Sequence, residues 1–265
     1  MKKRIVCFGD SNTWGYIPVT GERYDETIRW PARLQEMLGY ERCTVVEEGL
    51  TGRTTVFDDP FDPELNGMKS MPAVLRTAAP IDVLVFMLGT NDFQSHIPAG
   101  NAVSTARAVQ YMLETARKLG VGRPGGEMQI LLISPVEITE DRLTFKENDV
   151  TDERSIANSR ALGAHMKIVA EQLGIEFLDA AQYIKPGKVD GVHLDGLQRQ
   201  QRGDENDDGR KRGPSPDVHH GPGRLYLPDR GDHHLVAAVG RAVLRGGAVP
   251  VPAGLAAHGH HAGVY

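Results

Sequence analysis

The chain has 265 residues, 40% of them hydrophobic and 25% charged, with a formal net charge of −5. Its Lys and Arg are scattered among Asp and Glu, which argues against a nucleic-acid footprint or an anchor to an acidic membrane surface. Two cysteines make no disulfide framework, and no stretch reaches the ~20 apolar residues of a membrane span.

Met1-Lys2-Lys3-Arg4 is a basic start, but the apolar run at 5–8 is shorter than the ~7–15 residues of a signal-peptide core. A cytoplasmic location is therefore the expectation. That run reads as a strand over 4–8 and ends in Gly9-Asp10-Ser11-Asn12. Further strands are predicted over 44–48, 82–88, 129–133 and 175–178, alternating with helical patterns over 30–39, 71–79, 101–119 and 154–173. This alternation predicts βαβ units and a parallel sheet. Cys7 and Cys43, within or beside strands, are expected to behave as small buried apolar groups. The connections at 16–29, 57–70 and 136–152 are long for such units and are expected to shape a pocket or an interface.

Residues 1–196 read as one domain and 197–265 as an atypical tail rich in Gly, Arg and His. From Leu197 onward there is no Ile, Met, Phe, Thr, Trp or Cys. The run Gln198-Arg199-Gln200-Gln201-Arg202 and the acidic stretch after it are too polar for a core. A reading-frame change near Gly196 and a disordered extension are the two readings. Apolar residues at near-helical spacing over 233–245 also leave room for a replacement helix. The tail holds His219-His220, His233-His234, His258, His260 and His261, but metal-compatible spacing without a foldable core is not a structural metal site. No metal or cofactor is assigned.

Polar motifs follow the apolar strands. Gly9-Asp10-Ser11-Asn12 follows the first, Glu48-Gly49-Leu50-Thr51-Gly52-Arg53-Thr54 the second and Gly89-Thr90-Asn91-Asp92 the third, with Asp190-Gly191-Val192-His193 far downstream. Loops at the carboxyl ends of parallel strands line one crevice, so these motifs should converge. A serine hydroxyl needs an adjacent base, and that base needs a group to fix its tautomer. Asp190 and His193 can share one turn for this purpose. Each motif alone has an ordinary reading: a Gly-Asp-Ser turn, a turn glycine at Gly52, a strand-end cap at Asn91, a surface Asp-x-x-His.

With all four blocks in order, the chain resembles the SGNH, or GDSL, hydrolase family. The likeness is greatest to its bacterial arylesterase and acyltransferase branch, through CFGDSNTWGY, Arg29-Trp30, EEGLTGRTT, DDPFDPELNG and MLGTND, and spans the first three quarters of the chain. The resemblance implies an α/β fold: a flavodoxin-like three-layer αβα sandwich with a five-stranded parallel sheet. It also implies Ser11 as nucleophile, His193 as base and Asp190 as the orienting carboxylate. The oxyanion hole would comprise the N–H groups of Ser11 and Gly52 and the Asn91 side chain. Trp14 and Trp30 are candidates for the acyl or alcohol pocket, with simple packing as the other reading.

The expected activity is hydrolysis of short acyl, foremost acetyl, esters of aryl or alkyl alcohols, with transfer to alcohols or peroxide as an extension. A small-molecule ester is the expected partner, with no nucleic acid and no membrane, and the chain is expected to form a homo-oligomer. Rival readings are a carbohydrate acetylesterase, a thioesterase or lysophospholipase, and, in a different class, an inactive variant or a binding module.

Overall fold

The computed structural model describes residues 1–146, 150–194 and 232–245. Strands β1 (Lys3–Gly9), β2 (Cys43–Gly49), β3 (Val83–Met87), β4 (Gln129–Ser134) and β5 (Glu176–Asp179) form one sheet in the order β2-β1-β3-β4-β5. Every neighbouring pair is parallel. Each strand lies within one residue of its predicted bounds. The chain passes from β1 to β2 on one side and returns to β3 on the other, which opens a crevice at the carboxyl ends of β1 and β3.

Strand side chains alternate between faces, and here both faces are covered. Val6, Phe8, Leu84 and Phe86 pack against Met71 and Leu75 of α3 (Gly67–Ala78), Val109 and Met112 of α4 (Ala102–Lys118), and Leu162 and Met166 of α6 (Glu153–Leu173). On the opposite face Ile5, Cys7, Val83 and Val85 meet Leu34 and Leu38 of α2 (Trp30–Leu38). That second layer is completed by α7 (Asp232–Arg245), through Leu235, Val236, Val239 and Val243. The tail thus contributes a helix where near-helical spacing runs over 233–245. The compositional break at 197 and the frame-change reading fall on residues outside those described.

Local chemistry sets the helix ends. The Asn101 side chain accepts from the Val103 and Ser104 amides while Ser104 Oγ accepts from the Asn101 amide, a reciprocal cap that starts α4. Asp152 and Ser155 do the same for α6. Helix α3 begins four residues before the predicted 71, because the Asn66 side chain accepts from the Lys69 amide and Pro72 falls in the second turn. Among the described residues, two single-turn α-helices occur in the loops, α1 (Ser11–Trp14) and α5 (Asp141–Thr144). No described helix is long and apolar enough to cross a membrane.

Candidate active site

Strand β1 ends at Gly9, where a Cβ would press on Thr13 and the Met87 carbonyl, so the chain can turn sharply there only without a side chain. Asp10 then caps α1: its Oδ1 accepts from the Asn12 amide at 3.0 Å. This turn presents Ser11 at the crevice, with Oγ 2.9 Å from His193 Nε2.

His193 is held from several directions. Asp190 Oδ1 accepts from the amides of Val192 (3.1 Å) and His193 (3.0 Å), while its Oδ2 lies 2.5 Å from His193 Nδ1. The Thr139 amide donates to the Gly191 carbonyl. Asn12, beside the serine, clasps the same segment: its Nδ2 donates to the Val192 carbonyl (3.3 Å) and its Oδ1 accepts from the Leu194 amide (2.9 Å). The Tyr16 ring covers the imidazole, centroids 4.5 Å apart. Burial alone would raise the Asp190 carboxyl, but its hydrogen bond and charge interaction with His193 outweigh burial and hold it below its ordinary value. An ionised Asp190 places the imidazole proton on Nδ1 and leaves Nε2 free to accept from Ser11.

The donors assigned to an oxyanion meet the serine across a cavity of about 180 Å³, lined by Ser11, Gly52, Asn91 and His193 among others. Gly52 has φ +78, a conformation that suits glycine and turns its N–H toward no acceptor among the described residues. The Ser11 N–H, at a helix start, likewise has none among them. Asn91 Nδ2 donates to the Arg53 carbonyl (3.0 Å), and Gln94 Nε2 donates to Asn91 Oδ1 (3.1 Å). Those two bonds orient the amide and leave one N–H on Nδ2 for a ligand.

Trp14 and Trp30 do not line this cavity. Trp14 packs beside Tyr16 under the Arg23 guanidinium. Trp30 is buried in the second core layer and lines a smaller space with Tyr16, Asn12 and Leu235. Tyr16 occupies the wall expected of the tryptophans. Sequence reading also passed over Asn12, whose only local sign was its place next to the serine, and Arg142, whose Nη1 lies 4.0 Å from Asp190 Oδ2.

A family model for GDSL-like lipases and acylhydrolases matches residues 7–220. The chain belongs to this family. Among solved structures, a carbohydrate acetylesterase family member from Sinorhizobium meliloti is 33% identical, with a TM-score of 0.66 over 73% of this chain and 90% of its own. The native M. smegmatis aryl esterase is 31% identical, with a TM-score of 0.66 over 76% of this chain and 99% of its own. No curated protein matches the chain significantly. As a member of the GDSL-like family with esterase neighbours, the chain is a carboxylic ester hydrolase with the SGNH hydrolase fold.

Behind the GDSL-like site lie two buried carboxyls. Asp10 is pushed up to about 6 by burial, against the pull of the Asn12 amide. Asp92 is also pushed up to about 6 by burial, although Thr55 donates to it from both its amide (2.8 Å) and its hydroxyl (2.6 Å). A folded-state value above the unfolded one means that the native state binds more protons between about pH 4 and 6. Stability therefore falls as pH rises through that window, by up to about 3 kcal/mol for one such carboxyl. Asp92→Asn removes this contribution, so the unfolding free energy of the variant relative to the parent is expected to rise from pH 4 to 6 and level off above. Urea unfolding of both proteins across this range checks it; a difference independent of pH would show that Asp92 titrates normally.

Proposed function

We propose that the chain is a serine esterase that removes short acyl groups, foremost acetyl, from aryl or alkyl alcohols. Ser11 Oγ attacks the ester carbonyl as its proton passes to His193 Nε2, and Asp190 stabilises the imidazolium. The oxyanion is received by the N–H groups of Ser11 and Gly52 and by Asn91 Nδ2. Collapse expels the alcohol, which takes the proton from His193, and water then repeats the sequence on the acyl-enzyme. Interception by an alcohol or peroxide instead of water would use the same residues.

The observation that carries this reading is the hydrogen-bonded line from Ser11 through His193 to Asp190 at the edge of a cavity of about 180 Å³. That volume is below the ~300–1,000 Å³ typical of sites for larger ligands, which favours a short acyl chain. Activity on p-nitrophenyl esters is expected to fall at least tenfold in kcat/KM from acetate through butyrate to octanoate. Preference for octanoate would instead support the thioesterase or lysophospholipase reading.

A second reading, carbohydrate acetylesterase, is supported by polar groups on the cavity wall, among them Thr51, Gln94, Arg142 and Thr151, which suit a hydroxyl-rich leaving group. The Sinorhizobium neighbour carries that name. Higher kcat/KM on acetylated sugars than on aryl acetates would favour it.

A further inference from the structure

Arg53 directly follows Gly52, and only 5% of it is exposed. Its guanidinium lies 4.2 Å over the Phe8 ring. Nη1 donates to two backbone carbonyls at once, Gly9 at 2.8 Å and Glu48 at 2.5 Å, while Nε has no partner among the described residues. The negative charges of Glu48 and Asp10 act on it, yet its hydrogen bonds go to main-chain carbonyls. Burial lowers the guanidinium to about 10, which leaves it charged near neutral pH.

The two carbonyls belong to neighbouring strand ends. Gly9 closes β1 immediately before Asp10 and Ser11, and Glu48 lies at the end of β2, whose loop carries Gly52. The main chain of Arg53 reaches a third strand end, because its carbonyl accepts from Asn91 Nδ2 in the loop after β3. One residue therefore touches the β2, β1 and β3 loops, which carry Gly52, Ser11 and Asn91. A side chain that only filled space would need neither the charge nor the two aligned bonds.

We propose that Arg53 is a positioning residue that sets the spacing between Ser11 and the two oxyanion donors, Gly52 and Asn91. This role rests on the esterase reading above. Misplacement of reacting groups by about 1 Å can cost about 100-fold in rate. The loss should appear where charge develops on the carbonyl oxygen, in kcat, rather than in substrate binding.

The test compares the parent with Arg53→Met, Arg53→Lys and Asn91→Ala, together with Arg53→Lys combined with Asn91→Ala. Steady-state turnover of p-nitrophenyl acetate is measured beside inhibition by phenylboronic acid. In the boronate adduct an Oγ–B bond forms, the serine proton passes to His193 and boron becomes a tetrahedral anion, imitating the oxyanion intermediate. Arg53→Met is expected to lower kcat about 100-fold with KM changed less than about threefold, and to weaken boronate inhibition in step with kcat/KM. Arg53→Lys should recover part of both. Its effect should be smaller in the Asn91→Ala background, because both changes disturb the same hole.

A raised KM with unchanged kcat, unchanged boronate affinity, or multiplicative effects of Arg53→Lys and Asn91→Ala would each overturn the proposal. If Arg53→Met fails to fold, the lysine variant and its combination with Asn91→Ala still decide. Absence of Ser11-dependent turnover in the parent would count against the esterase reading alone, since phenylboronic acid binding titrated directly by calorimetry would still report on Arg53.

Discussion

Replacing Ser11 by alanine is expected to lower kcat/KM for p-nitrophenyl acetate by about 10⁴-fold or more, a loss of the size seen when an activated serine is removed. The change deletes one hydroxyl whose described hydrogen bond is to His193, so melting should barely move. What remains is the cavity with the Gly52 N–H and the Asn91 side chain, which can still bind an ester but has no hydroxyl to form an acyl-enzyme. A rapid burst of p-nitrophenol in the parent, stoichiometric with enzyme and absent from Ser11→Ala, would locate the covalent step. Equal turnover by the two proteins would sink the assignment of Ser11 as nucleophile and favour the binding-module or inactive reading.

The largest effect on stability is expected at Val239→Asp. Val239 is fully buried where α7 meets the sheet and α2. Gly240 beside it approaches so closely that a Cβ would collide with Met37 of α2. An unpaired carboxylate at position 239 costs about 3–5 kcal/mol, against a total stability of about 5–15 kcal/mol for an ordinary domain. A fall of about 6–20 °C in melting temperature follows for a chain of this size. Arg241→Glu, on the exposed side of the same helix, is the control and should shift melting little. If the two variants melt alike, α7 does not cover the sheet as described. Leu235 links this helix to the small space beside Asn12 and Trp30, so loosening α7 should also reduce turnover.

Much of this architecture was legible because it is encoded over short spans. The runs at 5–8 and 83–88 are apolar throughout, as strands covered on both faces must be, and their polar sequels name the site. Less visible was anything set by distant contacts. Asn12 earns its role from carbonyl and amide partners 180 and 182 residues away, which no local pattern announces. Arg53 is similar: a charged residue within a loop motif reads as solvated, yet it turns inward because two strand ends present their carbonyls to it. For Trp14 and Trp30 the sequence left pocket lining and simple packing both open; the turn of α1 and the start of α2 direct them to packing, and Tyr16 takes the place beside the imidazole.

Helix α7 has a further consequence for how the protein is made. Synthesis runs from the N-terminus, so the whole sheet and the turn bearing His193 emerge before the segment that covers Ile5, Val83 and Val85. Until residue 245 has left the ribosome, part of that apolar face stands open, a state prone to capture by chaperones or by other nascent chains. Ribosome stalling between residues 194 and 232 would therefore release a product that has Ser11, Asp190 and His193 but lacks α7 on that face of the sheet. The yield of soluble enzyme should depend on how quickly the ribosome crosses that interval.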